Sequence, residues 1–255
     1  MSTASATVAT PLEPSAFRAR FPVLADRAHL AGCSLGPRSL DLDAALARML
    51  DDMADTGTPW DRFETEVLRA RRSFAALIGA SAEQVAVVPN ASTGAYQVAS
   101  TTDWGTRSRI VTTTAEFPSV AHVWLAQRPR GAEVAFAGSV DEHAALIDER
   151  ANLVSVPLVT YQDSVRLPVA ELTRVAHEAG ARVFVDAYQA VGVEPVDVRR
   201  LGCDYLVAGT MKHLLGLPGL AFLYVRSPEL TDRDPSLTGW FGRVDPFAFD
   251  PRLLD

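Results

Sequence analysis

From residue 85 onward, short valine-rich apolar runs alternate with stretches of helical pattern, and this alternation limits the fold more than any other feature of the chain. The runs fall at 85–88, 109–112, 133–136, 153–157, 182–185, 204–208 and 220–225. Helical pattern lies between most of them, at 93–100, 120–127, 141–148 and 169–179. Strands alternating with helices predict an α/β domain around a largely parallel sheet. The runs are continuously apolar, which predicts cover over both faces of that sheet. With 48% hydrophobic residues in 255, the chain can fill a core of that size.

Ahead of the alternation the pattern is helical. Leu42, Ala45, Leu46, Met49, Leu50 and Met53 recur at helical spacing over 41–55, and Gly57 and Pro59 end the segment. Phe63, Val67, Ala70, Phe74 and Leu77 share a face over 61–78, with Gly79 as the stop. A short helix is expected over 17–26 and an extended piece with glycine turns over 29–36. The chain then divides into a mobile tail (1–15), an N-terminal helical segment (16–80), the large α/β domain (81–230) and a connecting segment (231–255).

Composition removes several function classes. A net charge of −7 without a basic block gives no support for a nucleic-acid partner. Cys33 and Cys203 stand far apart, with neither metal-ligand spacing nor a disulfide framework, so no metal site is expected. No apolar run approaches the length of a membrane span. The first residues lack the basic start and apolar centre of a signal peptide, and the expected setting is cytoplasmic.

Candidate chemistry lies where an open α/β sheet binds ligands, on the loops after the strands. After 85–88 comes PNASTG, where Ser92 and Thr93 enter a helix and can offer donors to an anion. Taken alone, N-capping by Ser92 or Thr93 explains them as well. After 109–112, Phe117 precedes a proline and can present its ring to a flat ligand; alone it reads as a core or turn residue. After 182–185, Asp186 ends an apolar strand, where a carboxylate is costly unless it meets a cation or strong donors. After 204–208 comes GTMK. The 24 basic residues comprise one lysine, Lys212, and otherwise arginine. Arginine stays protonated, whereas a desolvated lysine amine can attack a carbonyl and form a Schiff base. Together these strand ends match the needs of pyridoxal 5'-phosphate: anion donors, an aromatic face, a carboxylate for the ring nitrogen and a lysine for the aldehyde.

The stretch VFVDAYQAVGVEPVDVRRLGCDYLVAGTMKHLLGLPGLAFLYV resembles the class V aminotransferase family of fold-type I pyridoxal-phosphate enzymes, which includes kynureninases, isopenicillin-N-epimerase-like proteins and cysteine desulfurases. The resemblance covers roughly 28–250. It implies a three-layer α/β large domain with a mostly parallel central sheet, and the small C-terminal domain of that family is missing from this stretch. By the same resemblance, Lys212 takes the Schiff base and Asp186 partners the ring nitrogen. Gln189 contacts the phenolic oxygen, Ser92 and Thr93 hold the phosphate, and Phe117 stacks on the ring. Thr160 or Tyr161 approaches the ring, and Trp240 in GWFG reaches the phosphate of a partner subunit in a homodimer.

Departures from the family narrow the reading. Gly209 and Met211 stand where desulfurases have serine and histidine, which leaves Thr210 as a substitute phosphate donor. Neither Cys33 nor Cys203 falls on the desulfurase catalytic cysteine, and Cys203 reads as a core residue. Arg38 and Arg243 are the candidates for the substrate carboxylate by sequence proximity alone, and each reads more simply as a surface charge. The expected function is an enzyme acting on an amino acid, with aminotransferase or kynureninase-like or C–S lyase chemistry. The alternatives are an incomplete cofactor-binding domain without catalysis of its own and a desulfurase-like protein.

Overall fold

In a computed structural model, which describes residues 13–229, 234–242 and 245–252, seven strands form one sheet. They are β1 (Val85–Val88), β2 (Arg109–Thr113), β3 (Glu133–Ala137), β4 (Ala151–Pro157), β5 (Arg182–Asp186), β6 (Tyr205–Gly209) and β7 (Ala221–Val225). Their order is β1-β7-β6-β5-β4-β2-β3. Every pair is parallel except those of β7, which runs antiparallel to both β1 and β6. The chain passes from β6 to β7 through residues 210–220 without a helix. A parallel neighbour needs a longer crossover, so β7 returns antiparallel.

The helices are α1 (Pro14–Arg18), α2 (Leu40–Thr56), α3 (Trp60–Ile78), α4 (Ala91–Thr101), α5 (Pro118–Leu125), α6 (Val140–Leu146), α7 (Val169–Glu178) and α8 (Val198–Leu201). Side chains alternate across the pleat, so each strand feeds two cores. Val183 and Val185 of β5 face one core with Phe74, Ile78 and Leu172, from α3 and α7. Phe184 faces the other with Val98 and Trp124, from α4 and α5. On the first face Phe74 stacks on Phe222 of β7, with ring centroids 4.3 Å apart. The three-layer α/β expectation therefore holds, and all seven strands lie where valine-rich runs predict them.

Four local expectations change. The helix over 17–26 is split into α1 and a 3-10 turn at Pro22–Leu24, because Pro22 has no N–H to continue a helix. Asn90 caps α4, accepting from Thr93 N at 2.8 Å through Oδ1, so the helix begins two residues earlier than the periodicity suggests. On α3, Val67 is exposed because only the C-terminal part of that helix is buried, and there the buried face is Phe74, Ala75 and Ile78, which leaves Leu77 exposed. Helix α8 was not foreseen, since four residues carry no readable period. Most of the expected tail, and Arg243, lie outside the described residues.

Candidate functional site

Five strand ends converge at the carboxyl edge of the sheet on a cavity of about 330 Å³. The start of α4 brings Asn90 and Ser92, and the loop after β2 brings Phe117 and Ser119. The β4 loop brings Val159 and Tyr161, the end of β5 brings Asp186, Tyr188 and Gln189, and the loop after β6 brings Met211 and Lys212.

Lys212 is 8% exposed. Its Nζ lies 5.3 Å from the centroid of the Phe117 ring and 4.8 Å from that of Tyr188. Burial lowers the pKa of the amine, against the opposing charges of Asp186 and Cys33. A lowered value increases the fraction present as the free, nucleophilic amine. The lysine loop is pinned from the N-terminal side, where Gly36 N donates to Met211 O at 2.7 Å. A side chain at residue 36 would place its Cβ 2.4 Å from Lys212 O, so only glycine permits this approach. Gln189 joins the same contact, donating from Nε2 to Cys33 O at 3.1 Å while its Oε1 pairs with His213 Nε2 at 3.1 Å.

Asp186 is 6% exposed, and its Oδ1 accepts from Tyr188 N at 2.8 Å. Burial pushes its carboxyl up to about 6, held back by that backbone donor and by Lys212. Phe117 caps α5, with Pro118 at the first helical position where no N–H is needed. Its ring meets Tyr161 edge-on at 5.0 Å and 89°. At α4, capping by Asn90 leaves Ser92 facing the cavity beside the open N–H groups of the first turn.

The cavity thus gathers Ser92, Phe117, Asp186, Gln189 and Lys212. Four other sequence candidates do not line it. Thr93 turns its hydroxyl onto Asn90 Oδ1 at 3.1 Å. Thr160 is buried in its own turn, donating to Asp163 and accepting from Val165 N at 2.9 Å, and Tyr161 takes the wall position instead. Thr210 braces the lysine loop, with Oγ1 2.7 Å from Leu217 O and 3.1 Å from Leu220 O. Trp240, expected at the site of a partner subunit and not in this cavity, packs among Trp60, Phe241, Phe247 and Phe249. Arg38 is exposed and pairs with Asp43 at 2.7 Å. Cys203 is a core residue, its thiol pushed up to about 12 by burial.

Sequence reasoning missed Tyr188 and Glu116. Tyr188 sits between two residues already singled out, Asp186 and Gln189, and an aromatic beside a strand-end carboxylate was the available signal. Glu116 gave none, because an acidic residue in a loop reads as solvated.

A buried amine, a buried carboxyl, an aromatic wall and a helix N-terminus thus meet around one cavity of a three-layer α/β fold. The chain belongs to the class-V aminotransferase family, whose pattern matches residues 54–243. It is 36% identical over 241 residues to the uncharacterized aminotransferase YcbU of Bacillus subtilis, covering 92% of this chain and 64% of that protein. It is 33% identical over 242 residues to a kynureninase of Pseudomonas fluorescens, with 88% and 57% covered. In fold it matches the apo cysteine desulfurase from Thermococcus onnurineus NA1 with a TM-score of 0.79 at 22% identity, over 90% of this chain and 61% of that one. It likewise matches the cystine C–S lyase C-DES, solved with its product cysteine persulfide, with a TM-score of 0.79 at 22% identity over 86% and 62%. The chain therefore spans less than two thirds of each of these proteins. No helix among the described residues is long and apolar enough to cross a membrane.

Proposed function

We propose that this chain forms the pyridoxal 5'-phosphate site of an enzyme that acts on an amino acid, with aminotransferase or kynureninase-like or C–S lyase chemistry. The observation that carries the reading is the one lysine of the sequence, buried at a cavity it shares with the strand-end carboxyl of Asp186. Three features fit the cofactor. The first turn of α4, with Ser92, offers donors for a phosphate. The Phe117 ring offers a face for a flat heterocycle. Asp186 is a buried carboxyl on the same wall, of the kind a ring nitrogen would pair with.

When bound, the cofactor supplies an electron sink for a bond to the substrate Cα. The residues of the chain do the rest. Lys212 would hold the aldehyde through its amine and, once the substrate's own amine has displaced it, would be free to take up and return the proton at Cα. Burial favours its neutral form, and the lysine loop is held by Gly36 and Thr210. Asp186 would pair with the ring nitrogen and keep a proton on it. Gln189 is held by Cys33 O and His213, and the second proton on its Nε2 would be the donor for the phenolic oxygen. The aromatic walls of Phe117, Tyr161 and Tyr188 exclude water from the amine.

A homodimer is part of this proposal, supported by the apolar residues that α2 leaves exposed. So is a reducing, cytoplasmic setting, supported by two free cysteines. The test is the visible absorption of the purified chain with added pyridoxal 5'-phosphate. A new band is expected with the wild type and none with Lys212→Ala. Absence of the band in the wild type overturns the cofactor reading. A screen of amino acids for spectral change, with mass analysis of products, then identifies the substrate. A band without turnover of any amino acid supports the incomplete binding domain instead.

A further inference from the structure

Gln189 lines the cavity, and its amide is held at both ends. The two ends of an amide have nearly the same shape, so their partners decide which way it points. Nε2 lies 3.1 Å from Cys33 O, a carbonyl that can only accept. The nitrogen therefore faces Cys33, and the oxygen faces His213. Oε1 lies 3.1 Å from His213 Nε2. Two lone pairs at that distance would repel, so His213 Nε2 carries a proton and donates it to Oε1. The reverse orientation would set Oε1 against Cys33 O, acceptor against acceptor. One proton on Gln189 Nε2 goes to Cys33 O, and the other is left for the cavity.

Three segments meet at this imidazole. It follows Lys212 directly, so the lysine loop carries it. The 29–36 segment, which brings Cys33 O, closes on itself: Ser34 N donates to Ala31 O at 2.8 Å, and His29 Nε2 pairs with Leu35 O at 2.9 Å. It passes the ring at Gly32, where a Cβ would come within 4.0 Å of His213 Nδ1. The turn after Gln189 presses from another side. Gly192 has a φ of 93°, and a Cβ there would lie 2.8 Å from His213 O. The backbone of residue 213 is thus held on a glycine contact that aims the ring at Gln189. Burial, and then the charge of Lys212, lower the pKa of the ring, so at neutral pH it is uncharged. A charged ring would carry the Nε2 proton as well, so the bond to Gln189 persists in both forms.

We propose that His213 is a positioning residue for this site: with the carbonyl of Cys33 it locks the Gln189 amide in one orientation, so that the cavity meets an N–H donor there and not a carbonyl. The site then favours a ligand oxygen that accepts at this place over one that must donate. That this oxygen belongs to pyridoxal 5'-phosphate rests on the pyridoxal-phosphate reading; the clamp on the amide does not. His213 acts through Gln189, because its Nε2 proton is committed to Oε1.

The clamp is tested first in the cofactor-free full chain, by heteronuclear NMR of the imidazoles, with the His213 signals assigned by their loss in His213→Gln. His213 should carry its proton on Nε2, and that proton should exchange with water more slowly than in Gln189→Leu. A proton on Nδ1, or exchange as fast in wild type as in Gln189→Leu, overturns the proposal. Cofactor affinity is read separately by absorbance titration. His213→Phe, which keeps a ring but no donor, should weaken binding about fivefold, and His213→Gln, whose amide can donate in the same place, should stay within about twofold of wild type. In a Gln189→Leu background, His213→Phe should change affinity by no more than about twofold. No loss with His213→Phe, an equal loss in both backgrounds, or no rescue by His213→Gln overturns the proposal. If His213→Phe does not fold, the exchange rates of wild type and Gln189→Leu still decide. Failure of the wild type to bind pyridoxal 5'-phosphate removes the cofactor reading alone, because the cofactor-free spectra still judge the clamp.

Discussion

Tyr188 reaches over the end of β6 because Gly209 has no side chain there. A Cβ at residue 209 would lie 1.9 Å from the Tyr188 hydroxyl oxygen and 2.1 Å from Cζ of its ring. A side chain at residue 209 is therefore incompatible with the Tyr188 rotamer seen here. With Gly209→Ala, the phenol must swing out, and the contact of its ring with Lys212 Nζ at 4.8 Å is lost. The expected outcome is an amine with a higher pKa, read as a downward shift in the rate of modification of this one lysine at neutral pH. Tyr188→Phe should retain the rate, because the ring and not the hydroxyl shields the amine. Equal rates in wild type and Gly209→Ala would show that Tyr188 does not shield it. Glycine at the end of a strand was visible in the sequence. That it makes room for a residue of the loop after β5 was not, since the two meet only when β5 and β6 pair.

At the scale of elements, the excess of arginine acquires a structural role. Arg130 closes the C-terminus of α4, donating to Ala99 O at 2.7 Å, Thr102 O at 3.1 Å and Ser100 O at 3.4 Å. Arg107 does the same at the end of α7, donating to Gly180 O at 2.8 Å and Ala179 O at 2.6 Å. Arg71 ties α3 to β1 through Val85 O at 2.7 Å. Each guanidinium fork satisfies several carbonyls that a helix or strand end leaves open, which a single ammonium cannot span. Arg130→Ala should cost about 1–3 kcal/mol of stability, and Arg130→Lys should recover only part of it, measured by denaturant unfolding. Full recovery by lysine would make the charge, and not the fork, the stabilising feature. The elements themselves were legible because valine runs and helical periods are local. The antiparallel return of β7 was not, because it depends on which strands become neighbours.

Taken whole, the molecule covers its sheet but leaves other apolar surface bare. Leu46, Met49, Leu50 and Met53 of α2 are exposed, although they recur at the spacing of a buried face. Trp60, Trp240, Phe241, Phe247 and Phe249 form an aromatic group that is also open to solvent. The proposed homodimer predicts that the α2 face is covered in solution. Sedimentation should give twice the chain mass for the wild type, and Leu50→Asp with Met53→Asp should shift it toward the monomer without loss of helicity. A wild type that sediments as a monomer at micromolar concentration would remove α2 as a self-association face.

The sequence by itself determined the class of fold and the chemical types at the site. Periodicity is a local property, and a lone lysine with a strand-end aspartate can be read without knowing what they touch. Ser92, Phe117, Asp186 and Lys212 were found in this way, and Gln189 through the family resemblance; the five share one cavity. Only the tertiary structure decided which neighbouring hydroxyls face that cavity and which stabilise turns, as Thr160 and Thr210 do. It also decided that a loop glutamate is buried against the core beside Asp186. The reason is physical: burial, and with it the charge state of a carboxyl or an amine, is set by residues brought together from other strands, and no spacing along the chain encodes that.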